Sequence, residues 1–546
     1  MKKICLTILS ALFVTLSVAQ QEFHVFPENH ETTPGKSTGN GSLQNPWDLQ
    51  TALTQSNKTV KGEDTIWLHE GIYNGRYNST LNSTIPNKYI TVSAYPNDRV
   101  ILNGNVASTN GQTLGIRGGQ VIYKDFEVTW LGDFNRDFRI KKFKGIAGVY
   151  HLEGRNCKFI NLKIYNNPGL GFGSWKSTGG TLITECFVFN NGVINEKGRG
   201  AGEGFYVQNK SEEQRIIKNN VIFNNYYKGI EVWSAGRDAD FEYVKNITLD
   251  NNVVFNSGLP ANKFTVDNII VASDDRNAIN IAKNIKVTNN ILYHNTNYLK
   301  NEVNGDAPSL TIGFYHKAPV ENVVVDNNLI LGRNNALRIL YAKTLTFTNN
   351  IVYTGYMNFT NSVFDLAKNE NWKFSNNTYY SKNTAGFRIH KTNYSFNDWK
   401  TKFNIDTNSQ KKHIGAFNLA NVLDITKSEY KANSYRVVLF NKDAQDVVVD
   451  FSEYNIEKGS KYSITDVENL DRVLKTGTLT EDAKITVPMQ AVNPSENKTL
   501  NNFGVFIIEF NAVEKTASTN SKDKNEDIES NDKKESGLKR FFNWLF

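Results

Sequence analysis

Apolar and polar residues alternate in short runs along most of this chain, and asparagine punctuates the runs. From position 219 to 377 one phrase recurs, an Asn-Asn pair followed by two or three apolar residues. The copies are Asn219-Asn220-Val221-Ile222-Phe223, Asn251-Asn252-Val253-Val254-Phe255 and Asn289-Asn290-Ile291-Leu292-Tyr293, then Asn327-Asn328-Leu329-Ile330-Leu331, Asn349-Asn350-Ile351-Val352-Tyr353 and Asn376-Asn377-Thr378-Tyr379-Tyr380. Successive pairs are separated by 32, 38, 38, 22 and 27 residues. Repeats at about 20–50 residues mark a solenoid. Asn tolerates the left-handed backbone of a sharp corner, and its amide can bond to the same amide one coil above. The β-branched and aromatic runs between corners predict strands, and no long stretch of helical period competes with them. The step of 22 fits one bare coil of a parallel β-helix, and the longer steps fit a coil carrying a loop.

Successive side chains of a strand point to opposite faces, so the coil strands can be aligned on that alternation. Aligning Gly148–Leu152, Gly169–Gly173, Gly204–Gln208, Gly229–Trp233, Asn268–Ala272, Ser309–Gly313, Ala336–Leu340 and Gly386–His390 gives one apolar set. It comprises Leu170, Phe172, Phe205, Val207, Ile230, Val232, Ile269, Val271, Leu310, Ile312, Leu337 and Ile339, the expected interior. The opposite face carries a column Tyr150, Gly171, Tyr206, Glu231, Ile270, Thr311, Arg338, Phe364, Arg388. A second column holds Gln208, Trp233 and His390, and a third Trp175, Lys210, Asp274 and Tyr315.

The flanks read differently. Residues 1–19 carry Lys2 and Lys3, a largely apolar run and Ser17-Val18-Ala19, the pattern of a cleaved signal peptide, which predicts a secreted or periplasmic protein. No later apolar run is long enough to span a bilayer. Residues 20–111 form an N-terminal cap and first coils, with a short amphipathic segment at 47–56 to plug the open end. The parallel β-helix occupies 112–402. Residues 413–513, with short alternating runs at 435–440, 447–451, 461–465, 484–487 and 505–510, predict an antiparallel β-sandwich. Residues 514–536 have the composition of a disordered linker. In 537–546, Leu538, Phe541, Phe542 and Leu545 would line one face of a short helix suited to docking on a partner or a membrane surface, or to folding back on the sandwich. The formal charge of +7 falls to +5 without the leader, a mild excess that suits an anionic partner but not nucleic acid in particular. Cys157 and Cys186 fall in neighbouring coils but offset along the strand, which argues against a disulfide.

Three further motifs carry a resemblance: Gly62-Glu63-Asp64-Thr65-Ile66-Trp67, Gly71-x-Tyr73 and Val100-Ile101-Leu102-Asn103-Gly104. With the Asn-Asn coils, they make residues 23–402 resemble the pectate-lyase-like superfamily of right-handed parallel β-helices. The resemblance implies an all-β fold and a carbohydrate-active protein. That superfamily includes polysaccharide lyases, glycoside hydrolases, esterases, epimerases and non-catalytic members. The motif of no single family is visible, such as the clustered aspartates of polygalacturonases, so the resemblance brings no catalytic residue.

Candidate chemistry therefore comes from the outward columns. Aromatic faces stack on sugar rings while polar groups take the hydroxyls. On this reading Trp175, Gln208, Trp233, Asp274, Tyr315 and Arg388 bind a polysaccharide, and Glu231, Tyr206, Lys210 and Arg338 act on it. Tyr206 and Glu231 should be neighbours one coil apart and able to relay a proton. Lys210 or Arg338 could neutralise a uronate for β-elimination, with His316 a further candidate base. This favours a lyase acting on an acidic polysaccharide. A glycoside hydrolase is the alternative, and needs a carboxylate partner for Glu231. Asp274 lies on the order of 13 Å away at strand rise, leaving Glu203, Asp238, Asp240 or Asp275. A non-catalytic glycan-binding or surface protein is the third reading. The run Ser273-Asp274-Asp275-Arg276-Asn277 is a candidate Ca2+ loop. The basic, Phe-rich stretch 132–145 is a candidate loop walling the cleft.

Overall fold

Twelve strands stack in each of three sheets, and nearly every coil contributes one strand to each. The computed structural model describes residues 20–142, 144–234, 236–261, 266–296, 306–368, 371–490 and 498–511. The leader, the polar linker, the apolar tail and Phe143 lie outside these described residues. One sheet runs from Glu22–Val25 to Trp372–Ser375, a second from Tyr77–Ser79 to Phe387–Ile389, and a third from Gly71–Asn74 to Gln410–His413. Every pairing in these ladders is parallel except the last of the second sheet, where Thr392–Tyr394 folds back antiparallel on Phe387–Ile389. This is a parallel β-helix. Its coiling starts at Glu22–Val25, which pairs with Thr65–Leu68.

The paired asparagines divide the labour of the corner. The first of each pair takes the left-handed backbone, with φ of 58° at Asn219, 50° at Asn251, 57° at Asn289, 55° at Asn327 and 57° at both Asn349 and Asn376. The second is buried and stacks amide on amide along the solenoid axis. Nδ2-to-Oδ1 distances are 2.9 Å from Asn220 to Asn252, 3.0 Å to Asn290, 3.0 Å to Asn328, 3.0 Å to Asn350 and 3.3 Å to Asn377. The ladder ends on the buried Asp406, which also accepts from Tyr379 and Trp399.

Both ends of the stack are covered. Helix Leu49–Leu53, capped by the Asp48 carboxylate, buries Leu49, Ala52 and Leu53. Helix Phe396–Phe403, capped by Ser395, buries Trp399 against Phe359 and Phe387. The interior is the apolar set read from the alternation, with one exception. Phe172, Phe205, Val207, Ile230, Val232, Ile269, Val271, Leu310, Ile312, Leu337 and Ile339 are all fully buried. Each contributes about 1.5–3 kcal/mol. Leu170 is only half-buried and lies before its strand, which begins at Phe172. Cys157 and Cys186 are buried free thiols.

A second unit comprises residues 421–427, 431–490 and 498–511 of the described chain. A five-stranded antiparallel sheet and the two-stranded ribbon of Val447–Asp450 with Lys484–Val487 enclose one core. Val437, Leu439, Ile464, Phe506 and Ile508 of the sheet meet Val447, Val449, Ile485 and Val487 of the ribbon, making a small β-sandwich. Two of its strands, Val422–Lys427 and Lys475–Thr478, escaped the sequence reading because their faces are not cleanly alternating.

Candidate functional site

The register of the second sheet fixes what faces away from the interior. Tyr150 pairs with Gly173, Gly173 with Tyr206, Tyr206 with Glu231 and Glu231 with Ile270. The column continues through Thr311, Arg338 and Asn358 to Arg388. Gly173 thus stands where the alternation suggested Gly171, and Asn358 where it suggested Phe364. Strand alternation has period two, so a slip of two residues keeps every face and passes unnoticed. Phe364 belongs instead to the helical turn Val363–Leu366. The slip also moves Trp175 into the column of Gln208, beside the column it was assigned to.

This corrected register builds an aromatic ladder over one glycine. Trp175 lies 5.5 Å from Tyr150 and 5.2 Å from Tyr206 between ring centroids. A Cβ on Gly173 would stand 2.8 Å from both the Trp175 indole nitrogen and the Tyr150 ring, so only glycine lets the two rings close together. Beside the ladder is a cleft of about 400 Å³, lined by Leu152, Glu153, Trp175, Lys176, Ser177, Gln208 and Tyr243. Gln208 Nε2 lies 3.4 Å from the Tyr206 hydroxyl and donates to the Trp233 carbonyl at 3.3 Å.

The charged chemistry comes from the corners that feed these strands. Glu203, Lys228 and Asp267 each stand two residues before their strands, Phe205–Val207, Ile230–Val232 and Ile269–Val271. Because Phe205, Ile230 and Ile269 are in register, the three form a second column, each about 4.8 Å from the next. Lys228 Nζ donates to Glu231 in a contact that is almost wholly buried. The Lys228 ammonium is opposed by burial but raised above its ordinary value by the Glu231 carboxylate. Arg338 donates from Nη2 to Asp267 at 3.0 Å and from Nε to the Thr311 hydroxyl at 2.9 Å. The Thr311 hydroxyl in turn donates to Asp267.

Glu203 meets Glu231 carboxyl to carboxyl. Burial first, then the Glu231 charge and the hydrogen bond between them, push the Glu203 carboxyl up to about 8. Tyr206 is raised above the ordinary phenol value by burial, then by Glu231 and Glu203. At neutral pH Glu203 is therefore a carboxylic acid and Tyr206 a phenol, so both can give a proton. Environments that separate the protonation of adjacent groups make acid and base assignments. Glu231 is the member gripped by Lys228.

Tyr206 and Glu231 face away from the coil interior, as their parity requires, but they do not face solvent. They are 7% and 4% exposed and form a floor beneath the corner residues. Glu203 keeps intermediate exposure and is the reachable end of the pair. Trp233 packs edge-on to Phe314 at 5.0 Å, with Lys228 5.1 Å over its ring. Lys210 is exposed, two positions past Gln208. Asp274 is ion-paired with Arg237 at 3.1 Å, and Tyr315 lies under Arg276 at 5.1 Å, so these two form a separate, arginine-rich patch further along the coil. His316 packs on Tyr315 at 4.5 Å. Arg388 is five strands from Glu231 and covers Tyr356 at 3.4 Å, so the structure does not bring it to the others.

The candidate Ca2+ loop does not fit the ion. Asp275 accepts from the backbone N–H groups of Ala239, Asn277, Ile279 and Asn280, which uses the oxygens a cation would need. Asp274 is spent on arginine. The basic loop at 132–145 is pinned rather than free, since Arg136 donates to the carbonyls of Asn166, Asn190 and Gly192 at the coil corners.

The sequence offers Glu203 only as one of several loop acids, and singles out neither Lys228 nor Asp267. The signal lay one residue outside the aligned strands, in Glu203-Gly204, Lys228-Gly229 and Asp267-Asn268, each preceding an inward apolar residue.

No protein-family model and no curated protein matches the chain. Solved structures with a similar course include a pectate lyase, 15% identical, covering 74% of this chain and 83% of that one, at a TM-score of 0.43. Another is the A-module of a mannuronan C-5 epimerase of Azotobacter vinelandii, 13% identical over 64% of this chain and 86% of that one, TM-score 0.40. A tailspike protein of an E. coli bacteriophage is 12% identical over 90% and 94%, TM-score 0.36. Identities this low transfer no residue and no reaction. What the chain has in common with them is the parallel β-helix, which its own three ladders of stacked strands define.

Proposed function

We propose that this is an exported enzyme that cleaves a polysaccharide by acid–base chemistry at Glu203 and Glu231, most simply by β-elimination from an acidic chain. The supporting observation is the contact between the Glu203 and Glu231 carboxyls, in register with the aromatic ladder of Tyr150, Trp175 and Tyr206. A neutral carboxylic acid can donate a hydrogen bond to a uronate carboxylate and stabilise the charge that builds there. Moving that hydrogen bond from Glu231 to the substrate frees Glu231 to take the proton from the carbon beside the carboxylate. The electron pair forms the double bond, the glycosidic C–O bond breaks, and the Tyr206 phenol protonates the leaving oxygen. Trp175 and Tyr150 would carry the sugar rings, with Lys176 and Lys210 attracting the anionic chain from the rim.

Hydrolysis is the second reading, favoured by the same protonated Glu203, since a departing sugar oxygen needs such an acid. It requires carboxyls about 5–5.5 Å or 6.5–9.5 Å apart, wider than groups in hydrogen-bond contact. Incubation with a panel of neutral and acidic polysaccharides separates the readings. Elimination gives an ultraviolet-absorbing unsaturated end, and hydrolysis gives reducing ends without it. Tyr206→Phe should abolish turnover while leaving the fold intact, and Glu231→Gln should abolish it at a cost of about 3–5 kcal/mol in stability, because Lys228 loses its buried partner. Full activity in both would place the chemistry elsewhere, and binding without turnover on every glycan would make the chain a binding protein.

A further inference from the structure

In the β-sandwich, the side chains of Lys498, Asp466 and Glu468 meet almost wholly removed from solvent. Its Nζ donates to Asp466 Oδ2 at 2.7 Å and lies 3.8 Å from Glu468 Oε1, and the three side chains are 4%, 7% and 4% exposed. The site is built around the amine. A Cβ on Gly504 would come within 3.0 Å of Nζ, and the Phe506 ring covers it at 5.0 Å. The other Asp466 oxygen, Oδ1, accepts from the Glu468 backbone N–H at 3.0 Å. Glu468 is itself fixed by Thr499, whose N–H donates at 3.0 Å and whose hydroxyl donates to the same oxygen.

We propose that Lys498 and Asp466 condense into an intramolecular isopeptide bond, with Glu468 as the proton carrier. An ammonium–carboxylate pair removed from water is poorly solvated, and passing one proton from Lys498 to Asp466 relieves both charges. The resulting amine already touches the carboxyl it would attack. Burial raises the Glu468 carboxyl above its ordinary value; Lys498 lowers it and Asp466 adds to the rise, which suits an acid that must hold a proton here. The amine nitrogen bonds to Cγ of Asp466, and the negative charge on Oδ1 is met by the Glu468 N–H, an oxyanion-type donor. Glu468 gives its proton to Oδ2, which leaves as water, and then takes the surplus proton from nitrogen. One C–N bond forms, one C–O bond breaks, one water is lost, and Glu468 ends as it began. The bond would tie the end of Lys461–Asp466 to the segment entering Phe503–Asn511, two strands that already pair.

Intact-mass measurement on the purified full chain tests this. The wild type should be lighter than its sequence by one water, and digestion should yield a branched peptide joining the Asp466 and Lys498 segments. Lys498→Arg should restore the full mass. Glu468→Gln keeps both reacting groups but should slow the condensation by about 10²–10⁴-fold, so freshly made protein would carry the full mass with an unchanged circular dichroism spectrum. A folded wild type at full mass would make the cluster an ion pair only, and a loss of water that persists in Lys498→Arg would place the reaction elsewhere. Either result overturns the proposal.

Discussion

Glu203 reaches the carboxyl of Glu231 from the corner of the preceding coil, and Lys228 donates to the same carboxyl group. One proton and one cation therefore serve two acids. The solenoid achieves this because corner positions stack in register as faithfully as strand positions do.

The Glu203 pair sets a pH dependence. Glu203 must be protonated to donate, so turnover should fall as pH rises through about 8. Stability should follow the same sense. A carboxyl whose folded value lies above its ordinary 4.5 binds more protons folded than unfolded across that interval. Stability then declines as pH rises from about 4.5 to 8. Glu231, Lys228 and Tyr206 face it, and the last two, both raised above their ordinary values, keep their charge states through this range. Glu203→Gln should flatten the decline and raise the melting temperature at pH 9 relative to wild type, while abolishing turnover. A melting temperature in the variant that still falls in parallel with wild type would remove Glu203 as the cause.

Lys228 is the neutraliser of the floor. Removing one partner of a buried ion pair typically costs about 3–5 kcal/mol, because the other charge is left uncompensated. Lys228→Met should destabilise the chain by that order in urea denaturation and eliminate turnover. Lys228→Arg, which keeps the charge, should recover most of the stability. Equal stability of wild type and Lys228→Met would show that Glu231 is protonated rather than paired.

Gly173 tests the aromatic ladder without touching the acids. Gly173→Ala places a methyl carbon against Trp175 and Tyr150 at 2.8 Å, so the rings must part. Losing one stacking surface is worth about 0.5–1.5 kcal/mol. KM should therefore rise by roughly 2–12-fold with kcat little changed, and Trp175→Ala should do the same. A fall in kcat alone would mean the ladder positions the reacting bond rather than the flanking sugars.

The solenoid was legible because its demands are local and repeated. An Asn pair and an apolar run recur through residues 219–377, and alternation marks the coil strands on both sides, so Phe205, Val207, Ile230 and Val232 can be sent inward from sequence alone. Alternation settles which face a residue takes but not a shift of two residues, so Gly171 takes the place of Gly173 and Trp175 falls one column off. The adjacency of Tyr206 and Glu231 survived because both strands are headed by the same Gly-aromatic or Gly-Ile step. Burial of that floor was not legible. Whether an outward residue meets water depends on the corners and loops above it, and those follow no period. Lys228 and Asp267 sit at such corners, and only stacking reveals that they converge.

The Asn ladder predicts where a polar substitution behaves like a core deletion. Asn290 accepts from both the backbone N–H and the side-chain amide of Asn252, at 2.9 and 3.0 Å, and donates to the Leu249 carbonyl and to Asn328, each at 3.0 Å. Asn290→Ala leaves several of these buried groups without partners, at about 1–3 kcal/mol for each one stranded. Its neighbour Asn289 supplies the left-handed corner and is exposed, so Asn289→Ala meets chiefly the backbone cost of about 1–2 kcal/mol. The buried member should therefore be the more damaging, although the two are adjacent and chemically identical. Because each coil leans only on its neighbours, the loss should appear first as faster amide exchange in the coils holding Asn252 and Asn328. Equal destabilisation by the two variants would mean that the corner backbone, rather than the amide stack, holds the coils in register.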